Sequence, residues 1–436
     1  MKWNESASSL LREHYYFGTH KSGLPIYVFP KRMTGTYAIL SAKYGSLDHR
    51  YRLLGQERDV EIPDGVAHFL EHKLFENEDG SDSFRQFTAL GADANAYTTY
   101  NRTAYLFSCT EHFSECLAEL LNFVFHPYFT DATVKKEQGI IAEEIRMYED
   151  SPWDRADRNL LRAMYQVHPV RKNILGSEAS LATITPELLY ECHRVFYHPS
   201  NMALVVCGDV EREEVAAVAD RILADVPRAK QFVRVTEREP DDVGTSCVRT
   251  QMQVAKPLFC IGFKDIFVPR DADARLRRDA AMSLLGEMLF SRAEPFYNGL
   301  FEEGLLTSSY GFGYSCTDSF GYFGISGEAA DPEQIQTRLY EYLDTVRKNG
   351  LPEESFLRCR HVLYADEVKA YDSTEEIADR LLCAVFDGVE LFSYPSLLQD
   401  VTMEELYALM EEIFDPARAT LSVIEPFSNE QDERSE

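Results

Sequence analysis

Short runs of alternating apolar and polar residues and longer runs with helical spacing follow one another along this chain without an extended gap. His14–His20 and Leu24–Pro30 flank the turn Lys21-Ser22-Gly23 and predict a β-hairpin. Thr36–Tyr44 predicts another strand. Ala92–Thr99 and Arg102–Cys109, rich in aromatic and β-branched residues, predict two more. Helical spacing runs over Glu111–Val124 and Asp131–Tyr148, and Pro127 marks the break between them. Tyr310–Tyr314 carries two glycines but has neither P-loop spacing nor a lysine, and reads as an aromatic strand.

One stretch of this pattern occurs twice. Thr185 and Pro186 predict an N-cap and first turn for a helix through Tyr197; His198-Pro199-Ser200 stops it, and Met202–Cys207 predicts a strand ending at Gly208. The same events recur at Thr402–Phe414, Asp415-Pro416 and Thr420–Ile424, offset by 217 residues. At that offset Thr185, Glu187, Leu189, Tyr190, Pro199, Leu204 and Val206 all meet identical residues, which points to internal duplication. The expected organisation is one domain over residues 1–227, a polar, proline-containing linker over 228–245 and a similar second domain over 246–436. Strands and helices in each half predict an α+β layer architecture. His193 and His198, near the end of the first repeated helix, are expected to contact its C-terminal carbonyls.

Length and composition narrow the class. At 436 residues the chain exceeds one ordinary core, and 45% apolar with 27% charged residues is the balance of a globular protein. No eighteen apolar residues run together, so no membrane span is expected, and the N-terminus lacks a secretory apolar stretch. Nine cysteines, with no Cys-x-x-Cys pair, suit reduced thiols better than a disulfide frame. A cytoplasmic location is therefore expected. The formal net charge of −28 argues against nucleic-acid binding and favours basic peptides.

The candidate chemistry lies in His68-Phe69-Leu70-Glu71-His72, inside a run from Val66 to Phe75 free of Gly and Pro that predicts a helix. On a helix, His68 and His72 share one face with Cβ atoms about 5–6 Å apart, so two imidazoles can grip one cation. Glu71, near the same edge, can take a proton from a metal-bound water. This arrangement inverts the commoner His-Glu-x-x-His. A hydrolytic zinc site needs a third ligand and an open position. The segment Lys135–Glu149 predicts a packed helix through Ile141, Ile145 and Tyr148. On it Glu137 and Glu144, seven residues apart, drift by only about 20°. One could serve as ligand and the other as acceptor for a histidine N–H. Glu143 is turned by about a quarter-turn from Glu144, and composition alone does not choose among these acids.

These residues resemble the pitrilysin, insulysin and mitochondrial-processing-peptidase family of zinc peptidases (M16). The likeness extends to Asp64-Gly65-Val66-Ala67, to Gly91–Thr98 and to Tyr197–Met202, and continues as a weaker, metal-free repeat in the second half. It implies two similar α/β-roll domains, each an antiparallel sheet packed with helices. It also implies one zinc per chain on His68, His72 and Glu144, Glu71 as general base and Glu137 as supporting acid. Asn95 and Ala96 fall on an edge strand to which an extended peptide substrate adds. The implied activity is endopeptidase cleavage of unfolded or short peptides, or of a precursor, in a closed chamber. Where the family carries an Arg and, seven residues later, a Tyr around a Gly-Leu pair, this chain has Leu300 and Thr307 about Gly304-Leu305. The resemblance then implies a heterodimer with a metal-free homologue that supplies the missing pair, with a homodimer as the alternative.

Overall fold

The structure, a computed structural model, describes residues 1–224 and 231–427. Fifteen strands were assigned. β1 (Asn4–Ser8), β2 (Glu13–Thr19), β3 (Pro25–Pro30), β4 (Thr36–Ala42), β5 (Arg50–Leu53), β6 (Val60–Glu61), β7 (Asp93–Thr98), β8 (Thr103–Cys109), β9 (Met202–Gly208) and β10 (Phe232–Arg234) come first. They are followed by β11 (Cys247–Met252), β12 (Leu258–Lys264), β13 (Leu306–Cys316), β14 (Gly321–Ala329) and β15 (Ala419–Pro426). The predicted β2–β3 hairpin is present, pairing Tyr16 with Val28 through Thr19 with Pro25. Among the described residues no single helix is long and apolar enough to cross a membrane.

Two compact units emerge. The first comprises Met1–Ile145, Lys172–Thr236 and Glu367–Phe392; the second comprises Arg146–Arg171, Glu237–Asp366 and Ser393–Glu436. Each unit therefore carries a segment from the other half of the chain. In the first, a seven-stranded sheet runs β1-β2-β3-β9-β4-β8-β7. In the second, a five-stranded sheet runs β11-β15-β12-β14-β13. Five strands of the first sheet, β3-β9-β4-β8-β7, and the whole second sheet share one topology. β3 and β9 pair in parallel as β11 and β15 do, and the remaining neighbours pair antiparallel.

The repeat read from the sequence holds to the residue. The helices Pro186–Phe196 and Met403–Ile413 are both capped by a threonine, Thr185 or Thr402, that accepts from a backbone N–H three residues on. The short 3₁₀ turns Pro199–Asn201 and Pro416–Arg418 then lead into β9 and β15. The histidines do otherwise than expected. His193 bonds through Nε2 to the Val124 carbonyl of a neighbouring helix (2.8 Å), and His198 accepts from Ser200 N–H to cap the 3₁₀ turn. His193 thus reaches a carbonyl that tertiary packing brings to it rather than one of its own helix.

Strands β4 and β9 are buried along their whole length, as expected of central strands covered on both faces. On one face of the first sheet lies the Phe113–Phe125 helix. On the other lies Thr374–Asp387, from the second half of the chain, whose Ile377, Ala378, Leu381 and Leu382 pack with Ile39, Val205 and Cys207. In the second unit Pro152–Met164 packs so closely on β12 that a Cβ at Gly262 would overlap Met164. Of the joining segment, residues 228–230 lie outside the described residues. The rest is tied down. β10 pairs with β5, and Lys264 Nζ donates to Glu239 Oε1 (2.7 Å), Pro240 O (2.7 Å) and Asp242 O (3.0 Å).

The Val66–Lys73 helix starts at Gly65, which has φ +95°. A Cβ there would lie 2.5 Å from Leu175 O, and the facing Gly176 is equally close to the Asp64 backbone. Two glycines back to back thus set where this helix begins. Lys172 Nζ, 2.9 Å from Asp64 Oδ1, closes the same corner. Gly65→Ala combines left-handed strain with a clash against backbone. It should destabilise the first unit by about 1–3 kcal/mol or more in chemical denaturation and loosen whatever the helix binds.

Candidate metal centre

Val66, Ala67, Phe69 and Leu70 bury one side of the first helix, which leaves His68, Glu71 and His72 along a single edge of it. The opposing Asp131–Glu149 helix buries Val134, Glu137, Ile141 and Ile145, an i, i+3, i+7, i+11 stripe. Glu137 is therefore a carboxylate placed where an apolar residue would ordinarily sit. His72 partners it, with Nδ1 3.0 Å from Glu137 Oε1. That contact assigns the proton to Nδ1 and leaves the Nε2 lone pair facing away from Glu137. Nε2 lies 3.6 Å from Glu144 Oε2, and His68 Nε2 lies 3.7 Å from Glu144 Oε1. Glu143 is exposed and turned from this edge.

The electrostatics are those of a site built around positive charge. Burial, helped by the neighbouring imidazole, pulls His68 down to about 3, so it is neutral and able to ligate. Burial also pulls His72 down, but the bond to Glu137 and the charges of Glu71, Glu137 and Glu144 outweigh it and leave His72 raised. Burial pushes Glu71 and Glu144 up, each further raised by a neighbouring carboxylate. Glu144 Oε2 is buried with no hydrogen-bond partner among the described residues. Two imidazole Nε2 atoms, each within 4 Å of one oxygen of the same carboxylate, and an orphaned oxygen on that carboxylate fit a small cation.

Two carboxylates compete for the third position. The ligand atoms of His68, Glu71 and His72 lie within 4.8 Å of one another. Glu71, however, already accepts a hydrogen bond from Thr98 Oγ1 (2.5 Å), whereas Glu144 Oε2 has none. We therefore favour Glu144 as the cation's carboxylate. Thr98 stands on β7, the open edge of the seven-stranded sheet. Asn95 and Ala96 lie on the same strand, and Ala96 N–H donates to the Asn95 side chain (2.9 Å). The structure thus brings His68, Glu71, His72, Glu137 and Glu144 into one cluster with β7 beside it. Thr98 was passed over in the sequence. Its signal was being the one polar residue in the period-two set Ala94, Ala96, Thr98.

Comparison with known proteins places the chain in a family. Residues 55–178 match the family model for insulinase (peptidase family M16), and residues 183–363 match that for the peptidase M16 inactive domain. The zinc protease YmfH of Bacillus subtilis (strain 168) is 36% identical over 96% of this chain and 98% of its own. This chain belongs to the M16 peptidase family. An M16-like peptidase from Alicyclobacillus acidocaldarius has a similar structure (TM-score 0.90, 33% identity), covering 98% of this chain and 99% of that one. A protease from Helicobacter pylori shares the fold (TM-score 0.82, 18% identity; 95% and 100% covered). The candidate metal cluster falls within the insulinase match, whereas the inactive-domain match begins at the first repeated segment and ends before the second.

Metal analysis of the purified protein should find about one zinc per chain. His68→Ala or His72→Ala should abolish it, whereas Glu137→Gln should weaken zinc affinity by about 10–100-fold in chelator competition. Loss of zinc in Glu143→Gln but not in Glu144→Gln would show the wrong acid to have been chosen.

Proposed function

We propose that this M16 protein is a zinc-dependent endopeptidase of unfolded or short peptides, or of a precursor peptide, working in the cytoplasm. The observation carrying this reading is that His68, Glu71 and His72 bring their ligand atoms within 4.8 Å of one another, with Glu144 3.6–3.7 Å from both imidazoles and an unpaired sheet edge next to them. A zinc ion held by His68, His72 and Glu144 would supply Lewis acidity, making a water more acidic and the scissile carbonyl more electrophilic. Glu71 accepts the proton of that water and returns it to the leaving amine. Its burial-raised affinity for protons suits both halves of that transfer. Glu137 holds the His72 tautomer throughout.

The substrate lies extended along β7, adding backbone hydrogen bonds to the edge and displacing the Asn95 side chain from Ala96 N–H. Main-chain recognition asks little of side chains, so sequence tolerance is broad. The acidic surface favours basic peptides. Nine free cysteines support a reducing compartment.

The second half supplies no cation of its own at the position the resemblance marks. Leu300, on the Pro295–Glu302 helix, is buried in the second core. Thr307 opens β13, where its hydroxyl accepts from Ser309 N–H (3.2 Å). Neither can supply a fixed cation. We therefore infer pairing with a metal-free homologue that contributes an Arg and a Tyr to a shared chamber; a homodimer is the resting alternative.

Glu71→Gln should keep full zinc and lose most hydrolysis of a quenched fluorescent peptide, because the water is bound but not deprotonated. The isolated chain should be slow, by about 10²–10³-fold, relative to its mixture with such a homologue. Turnover of about 10 s⁻¹ by the chain alone, unchanged by any homologue, would sink the pairing.

A further inference from the structure

Glu71 is the one member of the cluster whose carboxylate is held by a residue outside the two helices. Thr98 Oγ1 sits 2.5 Å from Glu71 Oε2 and 3.5 Å from Thr103 Oγ1. Thr103 is fully buried and donates its own proton to Tyr44 O (2.9 Å). With the Thr103 proton committed elsewhere, the Thr98 proton is the one that meets an ionised Glu71. Thr98 is β-branched and on a strand, so its χ1 has little freedom. The strand is fixed from its other face too. Tyr97 OH donates to Asp379 Oδ1 (2.6 Å), and Arg102 Nη2 lies 3.7 Å from the same oxygen. Ala94 and Ala96 turn toward the core that contains the metal helix, whereas Tyr97 packs in the core on the opposite side of the sheet.

We propose that Thr98 is a positioning residue for Glu71: its hydroxyl holds Oε2 and thereby leaves Oε1 as the oxygen that exchanges protons with water. The same strand would carry the substrate backbone, so one element sets both the peptide and the base that acts for it. This inference rests on the peptidase reading above. Without the hydroxyl the carboxylate is free to swing about its side chain, and misplacement of a reacting group by about 1 Å can cost about 100-fold in rate.

The test compares Thr98→Val, which keeps the shape and loses the hydroxyl, with Thr98→Ser, which keeps the hydroxyl. Thr98→Val should lower kcat on a quenched fluorescent peptide by about 10–100-fold, with KM and zinc content unchanged, and Thr98→Ser should recover most of the loss. In a Glu71→Gln background, adding Thr98→Val should change the residual rate by less than about 3-fold, since the two residues act as one unit. A crystal structure of the metal-free Thr98→Val protein should find Glu71 displaced from its present position. The idea is overturned if Thr98→Val turns over like the unaltered protein. It is equally overturned if the two substitutions multiply, or if Glu71 stays in place without the hydroxyl. Should the unaltered, zinc-loaded protein with its homologue cleave no peptide, the peptidase reading fails instead, and the metal-free structure still decides whether Thr98 fixes the carboxylate.

Discussion

The hydrogen bond between His72 Nδ1 and Glu137 Oε1 is the contact on which the metal centre depends. Glu137 is a carboxylate in the buried stripe of a helix, a position that is costly for a charge without a partner. His72 satisfies it, and the same bond settles which imidazole nitrogen carries the proton. Because Glu144 follows Glu137 by seven residues, it leaves the helix at nearly the same angle two turns on. One contact therefore sets the spacing of two helices, the tautomer of one ligand and the place of another. The remaining ligand, His68, stays neutral because burial denies it a proton.

The surrounding fold supplies what those helices lack, an open sheet edge. β7 and β13 occupy equivalent positions at the ends of two sheets with the same strand order. In the first unit that edge strand is short and carries Asn95, Ala96 and Thr98 beside acids and histidines. In the second it is an eleven-residue aromatic and glycine-rich strand, and the helix before it buries Leu300. The duplication kept the frame and let the chemistry diverge. β7 falls in the insulinase match and β13 in the inactive-domain match.

Both units also borrow from the other half of the sequence. Thr374–Asp387 covers the back of the first sheet, and its Asp379 holds Tyr97, next to the threonine that meets Glu71. Pro152–Met164 serves the second sheet in the same way. The exchange allows the central strands to be apolar on both faces, which neither contiguous half could cover in this manner by itself.

The sequence by itself determined the elements, the duplication and the pairing of two histidines on one helix face. These are encoded locally: a threonine cap before a proline, alternation along a strand, two histidines one helical turn apart. The 217-residue offset survived to the residue because caps and turns depend on neighbours in the chain. Only the tertiary structure decided which units the segments 146–171 and 367–392 join, since apolar periodicity says which face is buried but not against what. It also decided that Glu71 is bonded to Thr98 while Glu144 Oε2 has no hydrogen-bond partner among the described residues, and that Glu137 rather than Glu144 hydrogen-bonds His72. Those choices turn on distances between two helices and a strand about 25 or more residues apart, and no spacing within one helix contains them. Thr98 went unnoticed for the same reason. A threonine in a strand looks like any β-former until folding places a carboxylate 2.5 Å from its hydroxyl.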